Sequence, residues 1–196
     1  MKFLSFRFVK IFIGLFVLAL TICGATAQQP SSDWTEITFP PFFPLSMSSI
    51  GSTLIAGTNN GVFISNDNGK SWIESSAGLP APVIIRAFAK IDDTIFARTD
   101  SAGIWKSNNG AQSWTTANVG TLANQMVTDM AAQGKTLFVV TNLGKIMRST
   151  DLGQTWVEKF QGPPVDFFNP LNVAIAGANV FALQTSRQSD KSISKL

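Results

Sequence analysis

Ser65-Asn66-Asp67-Asn68-Gly69-Lys70-Ser71-Trp72 returns as Ser107-Asn108-Asn109-Gly110-Ala111-Gln112-Ser113-Trp114, and again as Ser149-Thr150-Asp151-Leu152-Gly153-Gln154-Thr155-Trp156. The spacing is 42 residues each time. A fixed period of that length means one supersecondary unit copied along the chain. Each copy follows an apolar run that opens on Thr: Thr53 to Thr58, Thr94 to Thr99 and Thr136 to Thr141, with a fourth run from Asn179 to Thr185. These runs are short, β-branched and aromatic, and turn residues bound them, so they read as strands. Most are apolar on both faces, as strands enclosed between neighbouring sheets are.

Further strands fall into place around these runs. One precedes each Thr run, at Leu45 to Ile50, Val83 to Ile91, Met126 to Ala132 and Asn172 to Ala176. One follows, at Gly61 to Ser65, Gly103 to Ser107 and Lys145 to Ser149. The octapeptide makes the next turn, and a last strand starts at its Trp. The unit is four antiparallel strands, here A to D, in about 42 residues, which is the size of a propeller blade. The reading is therefore an all-β propeller with units near 45–76, 83–117 and 126–160. A partial unit spans 171–196, whose final ten residues show no clear strand. Trp34-Thr35-Glu36 has the form of Trp72-Ile73-Glu74 and Trp156-Val157-Glu158 without an octapeptide before it. It reads as an orphan D strand within 33–37. A closed four-bladed ring and the first part of a longer propeller both remain open.

The octapeptide residues suit a turn. An Asp side chain accepts backbone N–H groups two residues on. Gly takes positive φ without steric cost, a hydroxyl at the seventh place adds a bond, and the Trp buries a large ring between sheets. Ser65, Asp67, Gly69, Trp72, Ser107, Asn109, Trp114, Ser149, Asp151, Gly153 and Trp156 are read as structural on this ground. In the middle copy Ala111 stands where Gly is expected, and Gly110, one place early, is expected to carry the positive φ in a shifted turn.

This pattern, S/T-x-D-x-G-x-T/S-W, resembles the Asp-box, or BNR repeat, over roughly residues 34–185. Asp-boxes are known in sialidases, secreted glycoside hydrolases including xyloglucanases, sortilin-type receptors and photosystem II assembly factors. The resemblance implies a propeller with its boxes at the rim, away from the central site. It implies a fold and no particular activity.

The ends set the expected compartment. Lys2, Arg7 and Lys10 precede an uncharged apolar run from Ile11 to Cys23, followed by Gly24-Ala25-Thr26-Ala27. That is the layout of a cleavable signal peptide over 1–27, which makes 28–196 an exported repeat domain, extracellular or periplasmic. The run is short for a span of roughly 20 residues, so no membrane span is expected after cleavage. Lipoprotein anchoring at Cys23 is the less favoured reading, because bulky Ile22 precedes it. The formal charge of +3 comes entirely from Lys2, Arg7 and Lys10. What remains is balanced and gives no argument for nucleic acid. Cys23 is the only cysteine, so the domain rests on its core rather than on disulfides.

Chemistry is sparse. The chain has no Tyr and no His, which removes a sialidase nucleophile, a Ser-His-Asp arrangement and the usual zinc sites. None of Arg86, Arg98, Arg148 and Arg187 lies in an Arg-Ile-Pro motif. A glycosidase needs two carboxyl groups about 5–10 Å apart. Glu36, Glu74 and Glu158 instead recur on the outer strand D, where charge guards a sheet edge. Asp92-Asp93 reads as a solvated turn. Asn66-Asp67-Asn68-Gly69 has the composition of a calcium loop, but the alternating ligand pattern fails at Ile64. No catalytic residue, metal or cofactor is expected.

A–B and C–D turns share one end of such a blade, and B–C and D–A loops share the other. A binding surface is expected opposite the octapeptides, with Asn59, Asn60, Asp100 and Asn142 in B–C turns. Asp166, Phe167 and Phe168 lie in the proline-flanked loop 163–170, and Pro40-Pro41-Phe42-Phe43-Pro44 has the same composition. The expected function is a secreted, monomeric, non-enzymatic propeller that binds a protein or glycan. The alternative is an N-terminal fragment of a sialidase-like or other glycoside hydrolase.

Overall fold

Residues 37, 39, 41–123, 125–162, 171–177, 179–184 and 191–194 are described by the computed structural model. Four antiparallel sheets follow one another along the chain. The first is β1 (Pro44–Ile50), β2 (Thr53–Thr58), β3 (Gly61–Ser65) and β4 (Ile73–Glu74). The second is β5 (Ile85–Ile91), β6 (Thr94–Thr99), β7 (Ile104–Ser107) and β8 (Thr115–Thr116). The third is β9 (Val127–Gln133), β10 (Thr136–Thr141), β11 (Lys145–Ser149) and β12 (Val157–Gln161). The fourth is β13 (Leu171–Ala176), β14 (Asn179–Gln184) and β15 (Lys191–Ser194). The all-β propeller reading holds, with strands in sequence order within each sheet.

Two boundaries are corrected. The outer strands start one residue after the Trp, because the Trp itself closes the turn. The tail read as lacking a strand forms β15, which pairs with β14 through Ala182↔Ile193 and Leu183↔Ser192. The signal-peptide reading and Trp34-Thr35-Glu36 lie outside the described residues. Ile37 is described, and it sits where it bears on the first octapeptide: a Cβ placed on Gly69 would fall 2.8 Å from its Cγ2.

The inner strands pack successively, β1 on β5, β5 on β9 and β9 on β13, whereas β1 and β13 make no extended contact among the described residues. Period-two alternation then gives each sheet a face toward the preceding sheet and a face toward the next. Ile55 and Val62 of the first sheet meet Ile95, Ala97 and Trp114 of the second. Phe96 and Ile104 meet Leu137, Val139, Met147 and Trp156 of the third. Val140 and Ile146 meet Val173, Val180 and Ala182 of the fourth. Both faces of the second strand are therefore apolar, and Ile55, Ile95, Phe96 and Leu137 are fully buried.

Two of the three octapeptide Trp also make a polar joint backward. Trp114 Nε1 donates to the Ser75 carbonyl at 2.9 Å, and Trp156 Nε1 donates to the Ala117 carbonyl at 2.8 Å, both spanning 39 residues. The acceptor is in each case the third residue after the previous Trp. Ser75 Oγ answers by donating to the Ala111 carbonyl at 2.7 Å. Trp72 Nε1 is buried and has no acceptor among the described residues. Its ring packs 4.6 Å from that of Phe39. Trp114→Phe and Trp156→Phe each leave a buried carbonyl unpaired, at a cost of about 2 kcal/mol. Trp72→Phe loses no such bond and is expected to cost clearly less. Urea unfolding of the three variants checks this, and equal losses would refute the joint.

Candidate functional site

At one end of the fan the octapeptides form three near-identical turns. Ser65 Oγ donates to Asp67 Oδ1 at 2.8 Å and accepts from Gly69 N at 2.8 Å. Asp67 Oδ1 accepts from Ser71 N at 2.9 Å, and its Oδ2 accepts from Ser71 Oγ at 2.6 Å. Ser149, Asp151, Gly153 and Thr155 repeat every one of these bonds. In the middle copy Ser107, Asn109 and Ser113 do the same, with Asn109 Nδ2 donating to Ser113 Oγ at 2.8 Å. An amide thus replaces the carboxylate by reversing one donor.

The turn in that copy is not shifted. Asn68 and Gly69 have φ of 60° and 85°, Gly110 and Ala111 have 72° and 66°, and Leu152 and Gly153 have 58° and 76°. Gly110 takes the place of Asn68, and Ala111 itself adopts the left-handed conformation at the glycine position. Its methyl group is fully buried in the core between the first two sheets. That burial offsets a backbone cost of roughly 1 kcal/mol.

The opposite end differs in chemistry. Every inner strand of the first three sheets carries a bulge at the same place, between Pro44 and Ser46, between Ile85 and Ala87, and opposite Val140 and Thr141. A bulge re-aims the extra side chain, here Leu45, Arg86 and Thr128. Leu45 and Arg86 are exposed. Arg86 pairs with Asp100 in the β6–β7 turn through Nε at 2.6 Å and Nη2 at 2.7 Å. That bond raises the Arg86 pKa and lowers that of Asp100. Arg98 lies half-buried on β6; Nη1 donates to the Val127 carbonyl at 3.4 Å, and Nε is buried without a partner among the described residues. Burial lowers its pKa, opposed by Asp129 and Asp100. Asp129 Oδ2 accepts from Val173 N at 2.8 Å. Arg86, Asp100 and Arg98 of the second sheet and Asp129 of the third thus form a balanced charge cluster, which the Val173 amide joins from the fourth sheet.

The residues expected in this surface are partly engaged. The Asn59 side chain accepts from Phe43 N at 3.0 Å, and Asn59 N donates to the Phe43 carbonyl at 3.2 Å. Asn60 is exposed, its N–H donating to Thr58 Oγ1 at 2.9 Å. Asp100 is held by Arg86, and Asn142 N donates to the Met126 carbonyl at 2.9 Å. Asp166, Phe167 and Phe168 lie outside the described residues. Sequence reading missed Arg98 and Asp129 as cluster members. Their signal was a charge inside Thr94-Ile95-Phe96-Ala97-Arg98-Thr99 and inside Val127 to Gln133, where the other copies are apolar or small.

This end also exposes large apolar side chains, Phe43 at 71%, Leu45 at 41% and Leu143 at 44%. Among the described residues no other turn or bulge exposes one. Ile73 and Val157 lie on outer strands, and Phe181 and Leu183 on β14. Among the described residues no group of three or more His, Cys, Asp or Glu is placed to hold a metal ion. No helix among them is long and apolar enough to cross a membrane.

No protein-family model and no curated protein sequence matches the chain. Solved structures do. It is similar to YCF48 from Cyanidioschyzon merolae at 13% identity and TM-score 0.59, covering 81% of this chain and 57% of that one. It is similar to YCF48 bound to a D1 peptide at 17% identity and TM-score 0.60, covering 84% and 60%. It is also similar to the GH74 enzyme of Niastella koreensis at 14% identity and TM-score 0.57, covering 76% and 27%. At these identities the likeness concerns the fold, which is a β-propeller. The chain spans about three-fifths of the YCF48 chains it matches.

The octapeptide carboxylates make a pH prediction. The hydroxyls of Ser71 and Thr155, followed by the backbone N–H groups of the same residues, hold Asp67 and Asp151 down to about 2. A carboxylate depressed in the folded state stabilises fully above its unfolded value near 3.9, and that stability is lost as pH falls through the folded value. The melting temperature should therefore drop between about pH 4 and pH 2. Asp67→Asn with Asp151→Asn, which copies Asn109, should flatten that limb and lower neutral-pH stability, because the amides lack the stabilisation of the ionised carboxylates. An unaltered acid limb in a thermal-melt series would refute this role.

Proposed function

We infer that the chain is an exported, non-enzymatic propeller segment of the Asp-box class that binds a protein partner, as a peptide segment, through the end opposite the octapeptides. One observation carries this reading: the exposed apolar residues of the turns and bulges, Phe43, Leu45 and Leu143, all lie at that end, which also carries the Arg86–Asp100 pair. The octapeptide end presents self-satisfied polar turns. Apolar anchors rimmed by charge suit a protein surface better than a sugar, which needs dense polar readout. The bulges support the same end, since they add a projecting residue to each of the first three inner strands. The fold likeness to YCF48 bound to a D1 peptide agrees with a peptide-binding propeller.

The test is selection of displayed peptides on the purified chain. Phe43→Ser with Leu143→Ser should lower affinity for selected peptides by about thirtyfold, a hot-spot loss. Asp93→Ala, in the β5–β6 turn at the octapeptide end, should leave affinity unchanged. Peptides lost only on changing the octapeptide end would overturn the assignment. Turnover of fluorogenic sialosides or glucosides by the purified chain would overturn the non-enzymatic reading.

A further inference from the structure

We propose that the outer face of the fourth sheet is closed by the first sheet of a second copy of this chain, packed head to tail. The third residue of each second strand, Ile55, Phe96, Phe138 and Phe181, points toward the following sheet. Its cross-strand partner is Ser48, Ala89, Ala131 and Ala174 in turn. Ile55 and Phe96 are fully buried by the sheet that follows, and Phe138 packs into the core shared with the fourth sheet. Phe181 holds the same position and is 40% exposed, with Leu183 at 53% and Ala174 and Ala176 also exposed. The other face of that sheet, Val173, Val180 and Ala182, is buried against the third. The fourth sheet therefore keeps the apolar side that every earlier sheet uses to receive a successor.

The first sheet keeps the matching half. Its backward face carries Leu54, Phe63 and Trp72, which correspond to Ile95, Trp105 and Trp114 in the second sheet. Leu54 and Trp72 are only half-buried, whereas Ile95 and Leu137 are fully buried and Trp114 and Trp156 nearly so. Phe39 and Phe42 cover Phe63, with ring centroids at 6.2 and 5.3 Å. Among the described residues Trp72 lacks the acceptor its counterparts have. The first and fourth sheets are not joined among the described residues, since β1 and β13 make no extended contact. The exposed face of the fourth sheet and the backward face of the first, where Ala56 and Phe63 are already buried and Leu54 and Trp72 are left half-buried, are complementary because the chain builds three internal junctions from that same pair of faces. A junction of this kind used twice about a two-fold axis closes a ring and leaves neither face bare. This replaces the monomer expected from the sequence with a dimer.

Sedimentation analysis of the purified chain tests it. A dimer is expected, and Phe181→Asp with Leu183→Lys should raise its dissociation constant by at least about thirtyfold. Both residues are exposed in the single chain, so the variant should keep the unfolding midpoint of the wild-type monomer. Val157→Lys, on the exposed outer strand β12, should leave the dimer intact. A tagged copy of the double variant should still associate with wild-type chains, because its first sheet can seat on their fourth. A wild-type monomer at the highest soluble concentration would overturn the proposal. So would a dimer that survives the double variant, or a complete failure of the variant to associate with wild type, which would mean two fourth sheets facing each other.

Discussion

The indole N–H of Trp114 and of Trp156, each donated to a backbone carbonyl 39 residues earlier, is the interaction on which this architecture rests. A two-layer sandwich has one core, but a radial stack has a separate core at every junction, and each must be oriented as well as filled. The ring supplies the apolar filling, and its N–H fixes where the next sheet sits along the last one. Buried backbone carbonyls need partners, so the bond sets register as well as adding attraction. Ser75 Oγ on the Ala111 carbonyl and Lys106 Nζ on the Leu152 carbonyl at 2.8 Å brace the same junctions from the other side.

The turn that presents the Trp is stiff for an electrostatic reason. One carboxylate gathers a hydroxyl and backbone N–H groups, and a second hydroxyl gathers the N–H that closes the loop. Such charge-assisted bonds are stronger than neutral ones. The middle copy shows which part is dispensable. Asn109 keeps the geometry with a neutral amide, and Ala111 keeps the backbone without glycine. The required element is the pair of left-handed residues, not the identity of either one.

The two ends of the fan are specialised by the same strand geometry. The octapeptide end spends its polar groups on itself. At the other end a bulge in each of the first three inner strands adds a side chain beyond the pleat. Leu45 and Arg86 reach solvent there, beside Phe43 and the Arg86–Asp100 pair. Arg98 and Asp129 tie the same end across neighbouring sheets through the Val127 carbonyl and the Val173 amide.

Periodicity alone determined the repeat, the strand order within a sheet and the apolar character of both strand faces. These are local properties: alternation, turn chemistry and the 42-residue spacing are all written in contiguous residues. The left-handed conformation of Ala111 was not legible, because alanine disfavours it by itself and only burial between two sheets holds it there. Nor was β15, whose residues lack a strand pattern and take that form by pairing with the edge of β14. The joining of Arg86, Asp100 and Arg98 with Asp129 needed the stacking of two sheets, since side chains on different strands meet only through packing at a distance. So did the contrast between buried Phe96 and exposed Phe181, which hold the same place in the repeat and differ in whether another sheet packs on them among the described residues.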